Sequence, residues 1–155
     1  MNISVNACLT PIQNGTILDS TYLLLDKLGD GQYAKFNLLR VKLARDLRDD
    51  ALVAIKIWKR NISINDSLKN FMNEIFVLHS LNNKYIVNIF FVSYNGIYVK
   101  SNGKKITNVI YYVMQYAKCG ELFRIIKETG KLSENLSKYL FLQLIQGLLK
   151  KELNT

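Results

Sequence analysis

Residues 52–58 read Leu-Val-Ala-Ile-Lys-Ile-Trp, a short apolar segment interrupted by one lysine. Its length and its β-branched side chains predict a strand buried in a sheet. Burial penalises a lysine ammonium unless it meets an anion, although the alkyl stem packs well among apolar neighbours. The segment therefore predicts that Lys56 reaches a carboxylate or a phosphate.

A helix is predicted over residues 63–81, because apolar residues recur there at spacings of three and four. These apolar residues are Leu68, Phe71, Met72, Ile75, Leu78 and Leu81. Glu74 lies on the apolar side of this helix or at its border, where a carboxylate requires a cation. Glu74 is thus the predicted partner of Lys56.

A glycine turn over residues 28–35, Leu-Gly-Asp-Gly-Gln-Tyr-Ala-Lys, joins two strand-like segments at 22–28 and 33–45. Glycines at positions 29 and 31 let the backbone approach a phosphate closely and present its N–H groups. Such turns also join many ordinary hairpins, so taken alone this one favours a structural role. The Lys56–Glu74 pair would add a fixed positive charge beneath the turn.

The remaining predicted elements are strands over 86–94 and 109–116 and helices over 121–128 and 134–151. Asn102-Gly103 between the two strands is typical of a hairpin turn. Ser133 is the predicted N-cap of the last helix. Residues 1–20 are polar and contain helix and strand breakers, which predicts an irregular extension. The order of elements indicates an α+β fold with an antiparallel sheet.

The composition narrows the function classes. The chain has 155 residues, and 21 Lys and Arg against 12 Asp and Glu give a formal charge of +9. The basic residues are dispersed, which argues against a specific nucleic-acid partner. Cys8 and Cys119 lie far apart and His79 is the sole histidine, which argues against a Cys/His metal site. Without a secretory signal or an apolar run of roughly 18 residues, we expect an intracellular, cytoplasmic protein with no membrane span.

Taken together, the motifs resemble those of a eukaryotic protein kinase. The matching blocks are Leu28–Gly31, Val53–Lys56, Asn73–Ile75, Ile86-Val87, Val113–Ala117 and Gly120–Phe123. Gly120–Phe123 and Gln143–Leu148 look most like the calcium/calmodulin-dependent and AMP-activated branch of serine/threonine kinases. The resemblance implies a kinase N-lobe over residues 21–116, with a five-stranded antiparallel sheet and one helix. An extension over 1–20 would precede it, and a hinge and the first C-lobe helices over 117–155 would follow.

The resemblance also implies ATP as cofactor, together with magnesium in the complete family fold. Lys56 would bind the α- and β-phosphates and pair with Glu74, the two catalytic residues. The implied nucleotide-binding residues are Leu28, Gly29, Asp30, Gly31, Gln32, Tyr33, Ala34, Lys35, Phe36, Val41, Ala54, Lys56, Met114, Gln115, Ala117 and Glu121.

Within that set the resemblance gives each group a role. Tyr33 would lie at the tip of the glycine loop, and Ala54 would pack over adenine. Met114 matches the gatekeeper, and the backbones of Gln115 and Ala117 would bond adenine. Glu121 resembles the acid near the ribose, while Leu78 and Ile89 match two packing residues behind the helix.

The chain departs from the family pattern near the second strand. Ala34 replaces the third glycine of the loop, and residues 36–40 read as a five-residue insertion. An odd insertion reverses the face of each later side chain unless a bulge absorbs it. Either Phe36 or Val41 could therefore cover adenine, and the sequence leaves the choice open.

His-Arg-Asp, Asp-Phe-Gly and Ala-Pro-Glu motifs do not occur in the sequence. We therefore expect a truncated serine/threonine kinase, the ATP-binding portion, without metal-binding residues and inactive or nearly so by itself. The alternatives are a pseudokinase-like module that binds a protein, and an incomplete gene product. A module would use, also for self-association, the apolar residues of the final helix: Leu140, Phe141, Leu144, Ile145, Leu148 and Leu149.

Overall fold

The computed structural model describes residues 15–30, 39–58 and 65–152. Its strands are β1 Thr16–Leu18, β2 Tyr22–Asp30, β3 Leu39–Asp46, β4 Leu52–Trp58, β5 Ile89–Val99 and β6 Lys105–Gln115. Its helices are α1 Asn65–Ser80, α2 Leu122–Thr129 and α3 Glu134–Glu152. The predicted α+β class is confirmed, and the five predicted strands and the helices are confirmed where the structure describes them; residues 33–38 of the second predicted strand and 63–64 of the first predicted helix lie outside the described residues.

The six strands of the described residues close into an antiparallel barrel in the order β1-β2-β3-β4-β6-β5. The irregular extension predicted over residues 1–20 is wrong at Thr16–Leu18, which pairs with β2 on one side and β5 on the other. The composition of the first 20 residues hid this strand. Leu18 is fully buried in the barrel interior, and the burial of its side chain stabilises this three-residue strand.

The side chains of β4 and β6 alternate between two apolar clusters. Val53, Ile55 and Ile57 of β4 face the barrel interior, where Tyr111 and Val113 of β6 meet them. The intervening residues face outward, as the period of two in a strand requires. The same strands thus support a closed core on one side and a helix on the other.

Helix α1 packs on the outer face of β4 and β6. Phe71 and Ile75 of α1 form a cluster with Trp58 and Tyr112 of the sheet. Partly buried residues complete this cluster: Leu68, Met72, Leu78, Ile89, Val92, Ile110 and Met114. The helical periodicity read from the sequence therefore identified the buried face of α1 correctly, Leu78 included. Ile89 of β5 packs in the same cluster, as the resemblance implied.

Several predicted strand ends differ from the observed ones. Gly29 and Asp30 were predicted to form a turn but lie at the end of β2. Residues 31–38, which include most of the predicted glycine loop, lie outside the described residues, and β3 is described from Leu39. Gly96 was predicted to lie between two strands but lies inside β5. A Cβ at this position would lie only 2.5 Å from Tyr111 Cε1, which explains why the residue is glycine. Glycine at this position lets the buried Tyr111 ring lie against the strand.

The hairpin predicted at Asn102-Gly103 is confirmed. The Gly103 N–H donates to the Lys100 carbonyl oxygen over 2.9 Å, and Gly103 has a φ of 77°. The Asn102 Oδ1 accepts a hydrogen bond from the Lys104 N–H. The tightness of this turn extends β5 to Val99 and starts β6 at Lys105, so both strands are longer at this end than predicted.

The predicted cap of α3 is also present, since Ser133 Oγ accepts a hydrogen bond from the Leu136 N–H over 3.3 Å. The buried Asn83 side chain, after α1, donates to the Gln146 carbonyl oxygen of α3 over 3.0 Å. Gly147 lies against Tyr85, with 3.6 Å between its ideal Cβ position and the Tyr85 Cβ. These contacts attach α3 to the segment between α1 and β5.

No helix in the described part of the chain is long and apolar enough to cross a membrane.

Asp19 fastens β1 into the barrel. Its carboxylate accepts hydrogen bonds from the Tyr111 hydroxyl over 2.6 Å and from the Ile97 N–H over 2.5 Å. Asp19 has a φ of 49°, in the left-handed region that Asp and Asn tolerate. The buried Tyr111 hydroxyl and the Ile97 N–H of β5 thus share the Asp19 carboxylate as their hydrogen-bond acceptor.

We predict that Asp19→Asn lowers the free energy of unfolding by about 1–3 kcal/mol, because an amide cannot accept both hydrogen bonds as a carboxylate does. Asp50→Asn is the matched control. Asp50 also has a positive φ, 63°, but its carboxylate forms an exposed ion pair with Arg45, so the expected change is below about 0.5 kcal/mol. Urea unfolding measures both, and equal losses in the two variants would contradict this role of Asp19.

Candidate functional site

One outer face of the sheet gathers the predicted site residues of three strands. Ala54 and Lys56 are two residues apart on β4 and therefore point to the same side. Lys56 is paired in register with Val41 of β3 and Tyr112 of β6. Ala54 is paired with Met114 of β6. Since directly opposed residues share a face, these five side chains form one surface, called the Lys56 face below.

Lys56 and Glu74 form the predicted ion pair. The Lys56 Nζ lies 2.6 Å from Glu74 Oε1 and 2.7 Å from Glu74 Oε2, so both carboxylate oxygens accept from one ammonium. The Lys56 side chain is 14% exposed and that of Glu74 is 37% exposed. Strand alternation places Lys56 toward α1, and the apolar face of α1 brings Glu74 down onto the sheet. The ammonium is therefore fixed in place, on a side chain that keeps some exposure to solvent.

Tyr112 is a third member of this cluster, and the sequence reading did not identify it. Its hydroxyl donates to Glu74 Oε1 over 2.8 Å, and the residue is 1% exposed. Burial, and then the hydrogen bond to Glu74, raise the pKa of Tyr112 above its usual range. The available signal was its position two residues before Met114, on the same face of β6, because a buried tyrosine hydroxyl needs a partner.

The part of the glycine loop that the structure describes lies beside Val41. Gly29 pairs with Val41, and the register between β2 and β3 shifts on either side of Lys27. Leu28 is 42% exposed. Residues 31–36, with the predicted phosphate-binding backbone and Phe36, lie outside the described residues. Of the two residues that could cover adenine, Val41 is the one that the structure places, directly opposite Lys56.

The predicted hinge follows β6. The Gln115 N–H donates to the Asn88 carbonyl oxygen over 3.0 Å. The Ala117 carbonyl oxygen accepts from the Gly120 N–H over 3.1 Å, in a turn where Gly120 has a φ of 71°. Glu121 is exposed at the start of α2. Met114 thus lies on the Lys56 face, whereas Ala117 and Glu121 lie beyond the end of its strand.

Two further features bear on ligands. Among the described residues, no group of three or more His, Cys, Asp or Glu side chains is placed to hold a metal ion. A cavity of about 450 Å³ lies elsewhere on the barrel, with Arg40, Lys42 and Ile57 in its lining. Arg40, Lys42 and Ile57 alternate with Val41 and Lys56 along their strands, so these three lining residues lie on the opposite face of the sheet.

We predict that Tyr112 remains protonated well past pH 10. Because its folded-state pKa is raised above the ordinary value of 10.0, its stabilising contribution is fully present below pH 10 and is lost as the pH rises further. The absorbance at 295 nm of the wild type minus that of Tyr112→Phe isolates this titration. The difference is expected to rise above pH 10 for folded protein and near pH 10 in urea. A midpoint near pH 10 in the folded state would contradict the buried hydrogen bond.

Comparison with known proteins agrees with this arrangement. The family model for the protein kinase domain matches residues 22–150. The chain is 35% identical over 127 residues to the SNF1-related protein kinase catalytic subunit alpha KIN12 of Arabidopsis thaliana, covering 81% of this chain and 22% of that protein. It is 34% identical over 134 residues to CBL-interacting protein kinase 26 of Oryza sativa subsp. japonica, covering 86% and 24%.

A human relative, NUAK family SNF1-like kinase 1, is 31% identical over 131 residues, which cover 84% of this chain and 17% of that protein. The chain therefore spans about a quarter or less of the length of these curated relatives. The predicted resemblance to protein kinases is confirmed, since the family model covers most of the sequence and these relatives are SNF1-related, SNF1-like and CBL-interacting kinases. The chain belongs to the protein kinase domain family.

Proposed function

We propose that this chain contains the nucleotide-binding part of a serine/threonine protein kinase. Residues 21–116 form the N-lobe in this proposal, and residues 117–155 form the hinge and the start of the C-lobe. The observation that carries the proposal is the Lys56–Glu74 pair on a face shared with Ala54, Val41 and Met114. A fixed, partly exposed ammonium beside small and apolar side chains suits a ligand with phosphates and a flat ring.

ATP fits the residues that the structure describes. Lys56 would contact the α- and β-phosphates as a point charge, with Glu74 keeping its ammonium at one place. Ala54 and Val41 would pack on adenine, beside Met114, and the backbones of Gln115 and Ala117 would bond its edge. ATP itself supplies the phosphoryl group, and the protein contributes position and charge.

For magnesium, no comparable set of ligands is present among the residues that the structure describes. The described residues hold no carboxylate cluster, and the sequence contains no Asp-Phe-Gly motif or His-Arg-Asp motif. We therefore assign no step to a protein-bound metal. The proposal for this 155-residue chain is nucleotide binding without efficient phosphoryl transfer by these residues alone. Transfer to serine or threonine of a protein, inside the cell, is proposed only for the complete family fold.

We predict that MgADP raises the melting temperature of the chain. Lys56→Met is expected to weaken MgADP binding at least about tenfold, because it removes the positive charge that contacts the phosphates. The matched control is Lys42→Met, because Lys42 is a lysine of the neighbouring strand on the opposite face. Its binding is expected to stay within about twofold of the wild type. Calorimetry or a fluorescent nucleotide measures the affinities.

Equal losses in the two lysine variants would contradict a built site. Binding would then be attraction of a polyanion to a chain of net charge +9, and it would weaken steeply with added salt for both variants. A wild type whose melting temperature and amide exchange over residues 28–36 do not respond to saturating MgADP would remove the proposal altogether.

A second candidate function, protein binding, rests on one face of α3. Phe141, Leu144 and Leu148 follow helical spacing and are 62%, 58% and 56% exposed. Contiguous apolar surface of this kind marks a binding surface in many proteins. The occupant would be a second copy of this chain or another protein, and the helix would act without nucleotide.

For this second candidate we predict concentration-dependent self-association that Leu144→Glu with Leu148→Glu abolishes, because charge on the apolar face opposes its burial. Asn135→Glu, at an exposed polar position of the same helix, is the control and is expected to leave the association unchanged. Light scattering measures the mass. A monomer at all concentrations, with no binding of a dye that reports apolar surface, would count against the candidate.

A further inference from the structure

We infer that Tyr112 is a positioning residue that sets the place of Glu74 and, through Glu74, of the Lys56 ammonium. This inference rests on the proposed function of Lys56 in nucleotide binding. Tyr112 belongs neither to the glycine loop nor to the hinge. It acts from beneath α1, on the strand that pairs directly with β4.

The hydrogen bonds of the cluster meet at one oxygen. Glu74 Oε1 accepts from the Tyr112 hydroxyl at 2.8 Å and from the Lys56 ammonium at 2.6 Å. Lys56 and Tyr112 are opposed on neighbouring strands, so both donors start from a rigid sheet. Two fixed donors on one acceptor define where the carboxylate must lie.

The ring of Tyr112 makes a second contact with the same helix. Its centroid lies 5.5 Å from that of Phe71, and Phe71 precedes Glu74 by three residues, on the same side of α1. Tyr112 therefore holds α1 at two points, one through the ring and one through the hydroxyl. Two points on one face fix the rotation of the helix about its own axis as well as its distance from the sheet.

The hydroxyl also makes the alternative arrangement unfavourable. Glu74 is more exposed than Lys56, so its carboxylate could turn toward water and be solvated there. Tyr112 is 1% exposed, and its hydroxyl would then be buried without that acceptor, an arrangement that proteins avoid. The unpaired phenol would lower the population of the turned-out state by about tenfold. An apolar side chain at this position would pack on Phe71 without exerting this bias.

Tyr112→Phe tests the inference, because it removes the hydroxyl and keeps the ring. Tyr111→Phe is the matched control, since Tyr111 is a buried tyrosine of the same strand whose hydroxyl donates to Asp19 on the inner face over 2.6 Å. The first readout is the rate at which a small acylating reagent modifies Lys56, located by mass spectrometry. The second is the dissociation constant for MgADP. The third is the emission of Trp58, the single tryptophan, whose ring lies 5.7 Å from Phe71.

We expect Tyr112→Phe to raise the acylation rate of Lys56 about fivefold and to weaken MgADP binding by a similar factor. Trp58 emission should stay unchanged, which a general loosening of α1 would not allow. Tyr111→Phe should leave both Lys56 readouts within about twofold of the wild type. If Tyr112→Phe matches Tyr111→Phe in Lys56 reactivity, the inference is wrong.

The outcomes separate the inference from the proposed function. A faster reaction of Lys56 in Tyr112→Phe, with no MgADP binding by any variant, would keep the positioning role and remove the nucleotide. Unchanged reactivity with intact MgADP binding would do the reverse. If Tyr112→Phe does not fold, Glu74→Ala gives the same information. The ¹³Cζ resonance of Tyr112 is then expected to move while that of Tyr111 stays, and an unmoved Tyr112 resonance would overturn the inference.

Discussion

The need to pair one lysine inside an apolar strand governs the arrangement of this molecule. Lys56 lies between Ile55 and Ile57, which fill the barrel, and it points to the other side of the sheet. An ammonium there is tolerated only with an anion beside it. Glu74 supplies that anion, which requires α1 to lie on the outer face with its apolar side down. The position of α1 on the sheet and the position of the Lys56 ammonium therefore depend on each other.

The closed barrel provides the rigidity that this constraint needs. Because β1 joins β2 to β5, the sheet has no free edge among the described strands. Asp19, directly after β1, accepts a hydrogen bond from Tyr111 on the inner side, while Glu74 accepts one from Tyr112 on the outer side. Adjacent tyrosines of β6 therefore tie opposite faces of one strand to different parts of the chain.

Much of this could be predicted from the sequence, because it depends on local patterns. A short apolar run with β-branched residues identified β4 to its end residues, and helical periodicity identified the buried face of α1 and the partnership of Glu74 with Lys56. Strand β1 could not be predicted in this way, since three residues carry too little pattern and owe their pairing to distant Val99 and Tyr98. Tyr112 was missed for a related reason: its partner lies 38 positions earlier, on another element. The face of the sheet that Val41 occupies depends on the register between β3 and β4. The sequence leaves this register open because of the five-residue insertion, whereas the structure pairs Val41 with Lys56.

In the proposed function, the paired ammonium of Lys56 binds the phosphates of a nucleotide and is held in place by α1 and the sheet. An ATP acyl phosphate transfers its acyl group to whichever lysine lies beside the bound phosphates, and mass spectrometry identifies that lysine. We expect Lys56 to be acylated before the other lysines and excess ATP to protect it. Acylation spread over exposed lysines such as Lys118 and Lys131, without protection by ATP, would contradict it.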